Sequence, residues 1–219
     1  MRLVTLLLGA LLLAPATASA ADLSISLESG AGVQYGAAHS VRGRLAEATT
    51  PLADQTVELR GREYPYDDGF ETVAITTTNA AGAYAFARKF DRNMQLQVVA
   101  PAAGAFSKVV RAYVYPRPNS RFSALTGGRL RITQYPRTPA NVELSAKTNF
   151  YLGPRNVKSA PRVATARPKK IGRGRFKAVA TVKLPAKWKG SFRYGSCFRY
   201  SKGSGLGDPG ARCPKKYRF

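Results

Sequence analysis

Beyond residue 20 the chain alternates. Leu23-Ser24-Ile25-Ser26-Leu27 places its leucines and isoleucine on one side of an extended backbone, because successive residues of a strand point to opposite faces. The same period of two returns at 40–45, 55–60, 71–78, 83–86, 94–99 and 107–115, with Gly, Pro and Asn between the runs. The run 71–78 is rich in β-branched residues, which suit a pleated surface. Helical spacing of three to four is nearly absent. Seven short strands at this spacing predict a β-sandwich whose inner faces bury the alternating apolar residues.

Pro116-Arg117-Pro118 interrupts the pattern, since neither proline can donate into a ladder. Alternation then resumes at Arg129-Leu130-Arg131-Ile132, at 142–146 and more weakly at 157–165. From Arg175 to Lys183, the residues Phe176, Ala178, Ala180 and Val182 share one face, and Arg175, Lys177, Val179, Thr181 and Lys183 share the other. In 191–200, Phe192, Tyr194, Phe198 and Tyr200 oppose Arg193, Cys197 and Arg199. Apolar partners at the right parity predict a second folded unit, because a disordered arm has few of them. The expected fold class is all-β: two tandem β-sandwich domains, residues 21–117 and 118–219, the second with one disulfide.

The first unit has a familiar pattern. Val41-x-Gly43-Arg44-Leu45, Pro51-Leu52, Val57-x-Leu59 and Thr78-Asn79-Ala80-Ala81-Gly82-Ala83-Tyr84-Ala85-Phe86 resemble the carboxypeptidase-regulatory-like (transthyretin-like) β-sandwich over residues 23–116. The chain departs from that pattern at 61–70, where Tyr64-Pro65-Tyr66-Asp67-Asp68-Gly69 lengthens a hairpin. The pattern also overlaps bacterial immunoglobulin-like (Ig-like) modules, and both topologies stay open. The resemblance implies an extracellular, non-catalytic module that recurs beside other domains, and it carries no catalytic residues across.

Charge separates the two halves. The chain holds 35 Lys and Arg against 12 Asp and Glu, a net +23. Residues 21–117 carry ten of each sign, whereas 118–219 carry 24 cations and only two anions, Glu143 and Asp208. A surplus of this kind repels itself and attracts polyanions. The densest cluster is Arg167-Pro168-Lys169-Lys170-Ile171-Gly172-Arg173-Gly174-Arg175, whose proline and glycines predict a mobile hairpin tip or loop. Lys169, Lys170, Arg173, Arg175 and Lys177, with Lys215 and Lys216 of a second cluster, are the candidate polyanion-binding residues. Lysine would serve as a point charge and arginine as a fork.

Residues 1–20 read as an export signal: Arg2, an apolar run at 3–14, and the small-x-small site Ala18-Ser19-Ala20. The mature chain is then expected to be secreted or associated with the cell envelope, without a transmembrane segment. In an oxidising space, the two cysteines, Cys197 and Cys213, are expected to pair, closing the glycine-rich segment 202–210. No metal and no cofactor is expected, with one histidine and no Cys-x-x-Cys. No catalytic motif is present. His39 reads as a surface turn residue, the acidic 64–71 loop as a solvated hairpin, and Trp188 as a sheet-edge side chain.

The partner follows by elimination. No nucleic-acid-binding signature and no basic amphipathic helix is present, so no specific nucleic-acid partner is expected. The reading is an exported, non-catalytic protein whose basic half docks on an anionic envelope polymer or acidic polysaccharide. The alternatives are a structural or adhesive surface protein whose charge is incidental, and an accessory to a carbohydrate-active enzyme.

Overall fold

A computed structural model describes residues 21–28, 32–188, 191–201, 203 and 205–219. The export-signal reading of 1–20 lies outside them. Among the described residues the chain is all-β, with no α-helix and one 3-10 turn at Ala186–Trp188. The first half supplies β1 (Ala21–Leu23), β2 (Ser26–Leu27), β3 (Gly32–Gln34), β4 (His39–Glu47), β5 (Thr50–Pro51), β6 (Thr56–Glu63), β7 (Glu71–Thr77), β8 (Ala83–Arg88), β9 (Met94–Ala100), β10 (Ala105–Phe106) and β11 (Val110–Tyr115). The second supplies β12 (Ser120–Leu125), β13 (Arg129–Gln134), β14 (Ala146–Pro154), β15 (Ser159–Ala166), β16 (Lys169–Gly172), β17 (Arg175–Lys183), β18 (Phe192–Tyr200) and β19 (Lys216–Arg218).

β4 is the hub of the first sheet. β1 and β2 line one of its edges as two pieces of a broken strand, and β5 and β8 line the other. The second sheet runs β3-β11-β9-β6-β7, with β10 beside β9. All its pairings are antiparallel except that of β3 with β11. Leu23, Val41, Leu45, Tyr84 and Phe86 of the first sheet meet Val57, Leu59, Leu96, Val98 and Ala112 of the second in one buried cluster. Burying each large apolar side chain contributes roughly 1.5–3 kcal/mol. Gly43 lies directly across from Tyr84, and a Cβ there would occupy the place of the Tyr84 phenol. The phenol crosses β4 at this gap and donates to the Ser24 carbonyl.

The second half forms two antiparallel four-stranded sheets, β12-β13-β17-β16 and β18-β14-β15-β19. Leu130, Ile132, Ala178, Ala180 and Val182 of one meet Phe150 and Leu152 of the other, with Trp188, Phe192 and Tyr194 packed against them. Burial along β17 alternates without a break, at the parity expected from its sequence. The basic run around residue 170 forms a hairpin: β16 pairs with β17 and widens the sheet, and residues 173–174 make its turn. Residues 142–145 make no ladder, although Val142 and Leu144 are buried. The cysteines are bonded, Cys197 to Cys213.

A third cluster joins the halves. Val114 packs with Val142, Leu144, Phe176, Tyr200 and Leu206, and Tyr35, Phe90 and Tyr115 lie against them. The disulfide-closed loop enters the first half at 205–207. Asn93 N donates to Gly205 O (2.9 Å) and Gly207 N donates to Val114 O (2.8 Å). Asn93 Nδ2 donates to Gly207 O (2.8 Å), and Val114 N donates to Asn93 Oδ1 (2.9 Å). Gly207 has φ +61°, and a Cβ there would run into the Tyr200 ring.

His39 is the correction among single residues. It is fully buried rather than in a surface turn. It opens β4 at the parity of Val41, which turns the ring inward, 5.6 Å from the ring of Phe90.

Candidate functional site

The basic half presents one sheet face built almost wholly of cations and small neutral residues. Its geometry follows from register. The inward parity of β13 and β17 is apolar and buried, so the opposite parity points outward. Arg129 and Arg131 of β13 therefore share a face with Arg175, Lys177 and Lys183 of β17. Pairing adds Arg121 from β12 and Lys169 from β16. Arg129 stands directly opposite Lys183, and Lys169 directly opposite Lys177. No Asp or Glu occurs in any of the four strands. Like charges directly opposed across a ladder are destabilising, and this face carries no carboxylate of its own to relieve them. Val179, Thr181, Ser123, Thr133 and the half-buried Leu125 fill the intervening outward positions.

The seven residues singled out from sequence separate into three groups. Lys169, Arg175 and Lys177 are on this face, and Arg173 is exposed in the turn that joins β16 to β17. Lys170 has the opposite parity, across from Phe176, and its Nζ donates to the Glu143 carboxylate. Lys215 and Lys216 belong to the other layer, where Lys216 of β19 pairs with Pro161 of β15. The sequence-level list left out Arg121, Arg129, Arg131 and Lys183. The signal for three of them was visible in the cation–aliphatic alternation of β13 and β17. What joins them to Lys177 is the adjacency of those two strands.

The outward face of the fourth sheet differs. Arg193, Cys197 and Arg199 share its parity, and Lys147 lies opposite Arg199. Its centre is covered by the disulfide segment: Tyr151 is fully buried, donates to Pro214 O (2.7 Å), and packs 5.4 Å from Tyr217. A cleft of about 630 Å³ near the sheet's edge is lined by Lys147, Arg167, Arg199 and Glu143. Its carboxylate is the one already engaged by Lys170.

Other chemistry is sparse. Among the described residues, no group of three or more His, Cys, Asp or Glu side chains is placed to hold a metal. No helix among them is long and apolar enough to cross a membrane. In the acidic 64–71 loop, Tyr64 and Tyr66 meet edge to face at 5.5 Å, and Arg62 lies 4.8 Å over the Phe70 ring. Both tyrosines line a 110 Å³ cavity with Asn93, Arg111 and Gly205. The aromatics of this loop thus receive the disulfide-closed loop of the other half. Neither ring nitrogen of His39 has a hydrogen-bond partner, and burial lowers its pKa below the ordinary 6.5.

No family model matches the chain, and no curated protein matches it. The functional reading therefore rests on the residues themselves.

Proposed function

We propose that this is an exported, non-catalytic binding protein that docks through its basic half on an anionic envelope polymer, a wall glycopolymer or an acidic polysaccharide. The observation that carries the reading is the outward face of β12-β13-β17-β16, with seven cations in register and no acidic residue. A repeating polyanion relieves the repulsion of such a ladder, and its charges are recognised by position along the face rather than at a single point. The first half serves as a spacer or protein-contact module, net neutral over 21–117.

We read both halves as β-sandwiches. In the first, two sheets enclosing one cluster support this. The broken first strand pairs with β4 and the chain then crosses to pair in parallel with β11, an arrangement that favours the Ig-like over the transthyretin-like topology.

One observation favours the alternative of incidental charge: cations also stand on the fourth sheet, at Lys147, Arg162, Arg193 and Arg199. Retention on purified teichoic acid or polyuronate across a salt series separates the two readings. Docking predicts retention at low salt and release by about 0.5 M, where screening shortens to a few ångströms. The quadruple variant Arg129→Ala, Arg131→Ala, Lys177→Ala, Lys183→Ala elutes at lower salt than the parent. A variant carrying Lys147→Ala, Arg162→Ala, Arg193→Ala and Arg199→Ala, with the same net charge, elutes near the parent. Equal weakening by both sets would show that only total charge matters.

A further inference from the structure

We propose that the cavity of about 280 Å³ walled by Arg121, Arg137 and Arg175 receives a terminal phosphate monoester on a sugar-sized group. This rests on the reading of the same face as an anion-docking surface, and it adds a specific end-group site to the ladder.

The backbone brings the three arginines together. Arg137 forms isolated antiparallel bridges to Arg117 on one side and to Arg175 on the other. Tyr135 N donates to Asn119 O (2.7 Å), Phe176 N to Pro136 O (3.1 Å) and Thr138 N to Gly174 O (3.0 Å). The segment carrying Arg137 is thus held on both flanks. Partners directly across a bridge project to the same side, so Arg117 continues the row beyond the cavity. The Arg121 guanidinium lies 5.7 Å from the Tyr135 ring centroid, which orients it without neutralising it. None of the ion pairs among the described residues involves Arg121, Arg137 or Arg175.

The chemistry of the walls selects the ligand. A phosphate monoester brings nearly two negative charges and three peripheral oxygens to three guanidinium forks. A carboxylate brings one charge and two oxygens. The volume falls just under the range of small-molecule sites, roughly 300–1,000 Å³, which suits one ring rather than a chain. Ile171 and Tyr135 add apolar surface for the carbon face of that ring, above the buried Phe176. Phe176 also belongs to the cluster that joins the two halves, which fixes the cavity floor.

The test titrates the full chain with glucose 6-phosphate, inorganic phosphate, glucuronate and glucose by calorimetry, at about 0.15 M ionic strength, where the Debye length is about 8 Å. Glucose 6-phosphate is expected to bind saturably, about tenfold or more tighter than glucuronate. Arg137→Lys keeps the net charge but loses the fork, and is expected to weaken that binding about tenfold or more. The same variant keeps its thermal midpoint, which excludes misfolding. The proposal is overturned if the parent shows no saturable binding, if glucuronate binds equally well, or if Arg137→Lys binds as tightly as the parent. Inorganic phosphate binding within about twofold of the sugar phosphate overturns the sugar-sized part of it. Polymer retention without glucose 6-phosphate binding sinks the cavity alone. Glucose 6-phosphate binding without polymer retention upholds the cavity and sinks the docking ladder.

Discussion

His39 is the chain's only histidine, and its burial gives stability a pH dependence that is readable in isolation. Burial favours the neutral ring, so its folded pKa lies below the ordinary 6.5. Above 6.5 the contribution is fully present. As pH falls from there toward the folded pKa, the unfolded chain takes up a proton that the native chain refuses, and stability declines by up to about 1.4 kcal/mol per pH unit. Urea denaturation between pH 7.5 and 5.5, above the range where carboxylates titrate, is expected to show this decline. His39→Leu, which keeps an apolar contact for Phe90, is expected to flatten it. A parent whose midpoint holds constant over that window would show that the ring is not sealed from water.

At the scale of elements, the disulfide-closed loop makes the sharpest prediction. Cys197 and Cys213 are 16 positions apart, a closure worth about 3 kcal/mol against the open unfolded chain. The double serine variant is expected to lose that much in denaturant titration. Within the same loop, Gly207→Ala meets both a positive φ and the Tyr200 ring, whereas Gly203→Ala meets nothing within 4 Å and has no positive φ. The first is expected to cost about 2 kcal/mol or more and the second almost nothing. Elements also differ in how openly the sequence announces them. β17 was legible because one face is core and the other solvent. β14 was not: residues Thr148 to Gly153 are all buried, since the core lies on one side and the disulfide segment on the other, so no alternation remains. β12 was hidden for the opposite reason, with Arg121, Phe122, Ser123 and Ala124 all exposed. The 142–146 run shows the converse error: up to residue 145 it is an apolar rhythm that packs without a ladder. As for the basic face, its rows could be read strand by strand. Their union could not, because β13 and β17 are neighbours only through a pairing that spans more than 40 positions.

At the scale of the whole molecule, the neutral and basic halves are coupled. The cluster around Val114, Tyr200 and Leu206 draws on both, and buried Asn93 ties the backbone of β11 at Val114 to that of the loop at Gly207. Calorimetry of the full chain is expected to show one transition. Asn93→Ala strands the Val114 amide and the Gly207 carbonyl, each costing about 1–3 kcal/mol when buried, and is expected to split the transition or lower it markedly. Two transitions in the parent would show that the junction is only a contact. The same junction bears on the order in which the chain is made. Asn93 leaves the ribosome 114 positions before its Gly207 partner, so the earlier half must wait with that surface unfinished. Oxidation of the cysteine pair then becomes a step in assembling the early half as well as the late one. Reducing that pair is therefore expected to loosen the first half around Asn93 as well as the loop that carries Gly207.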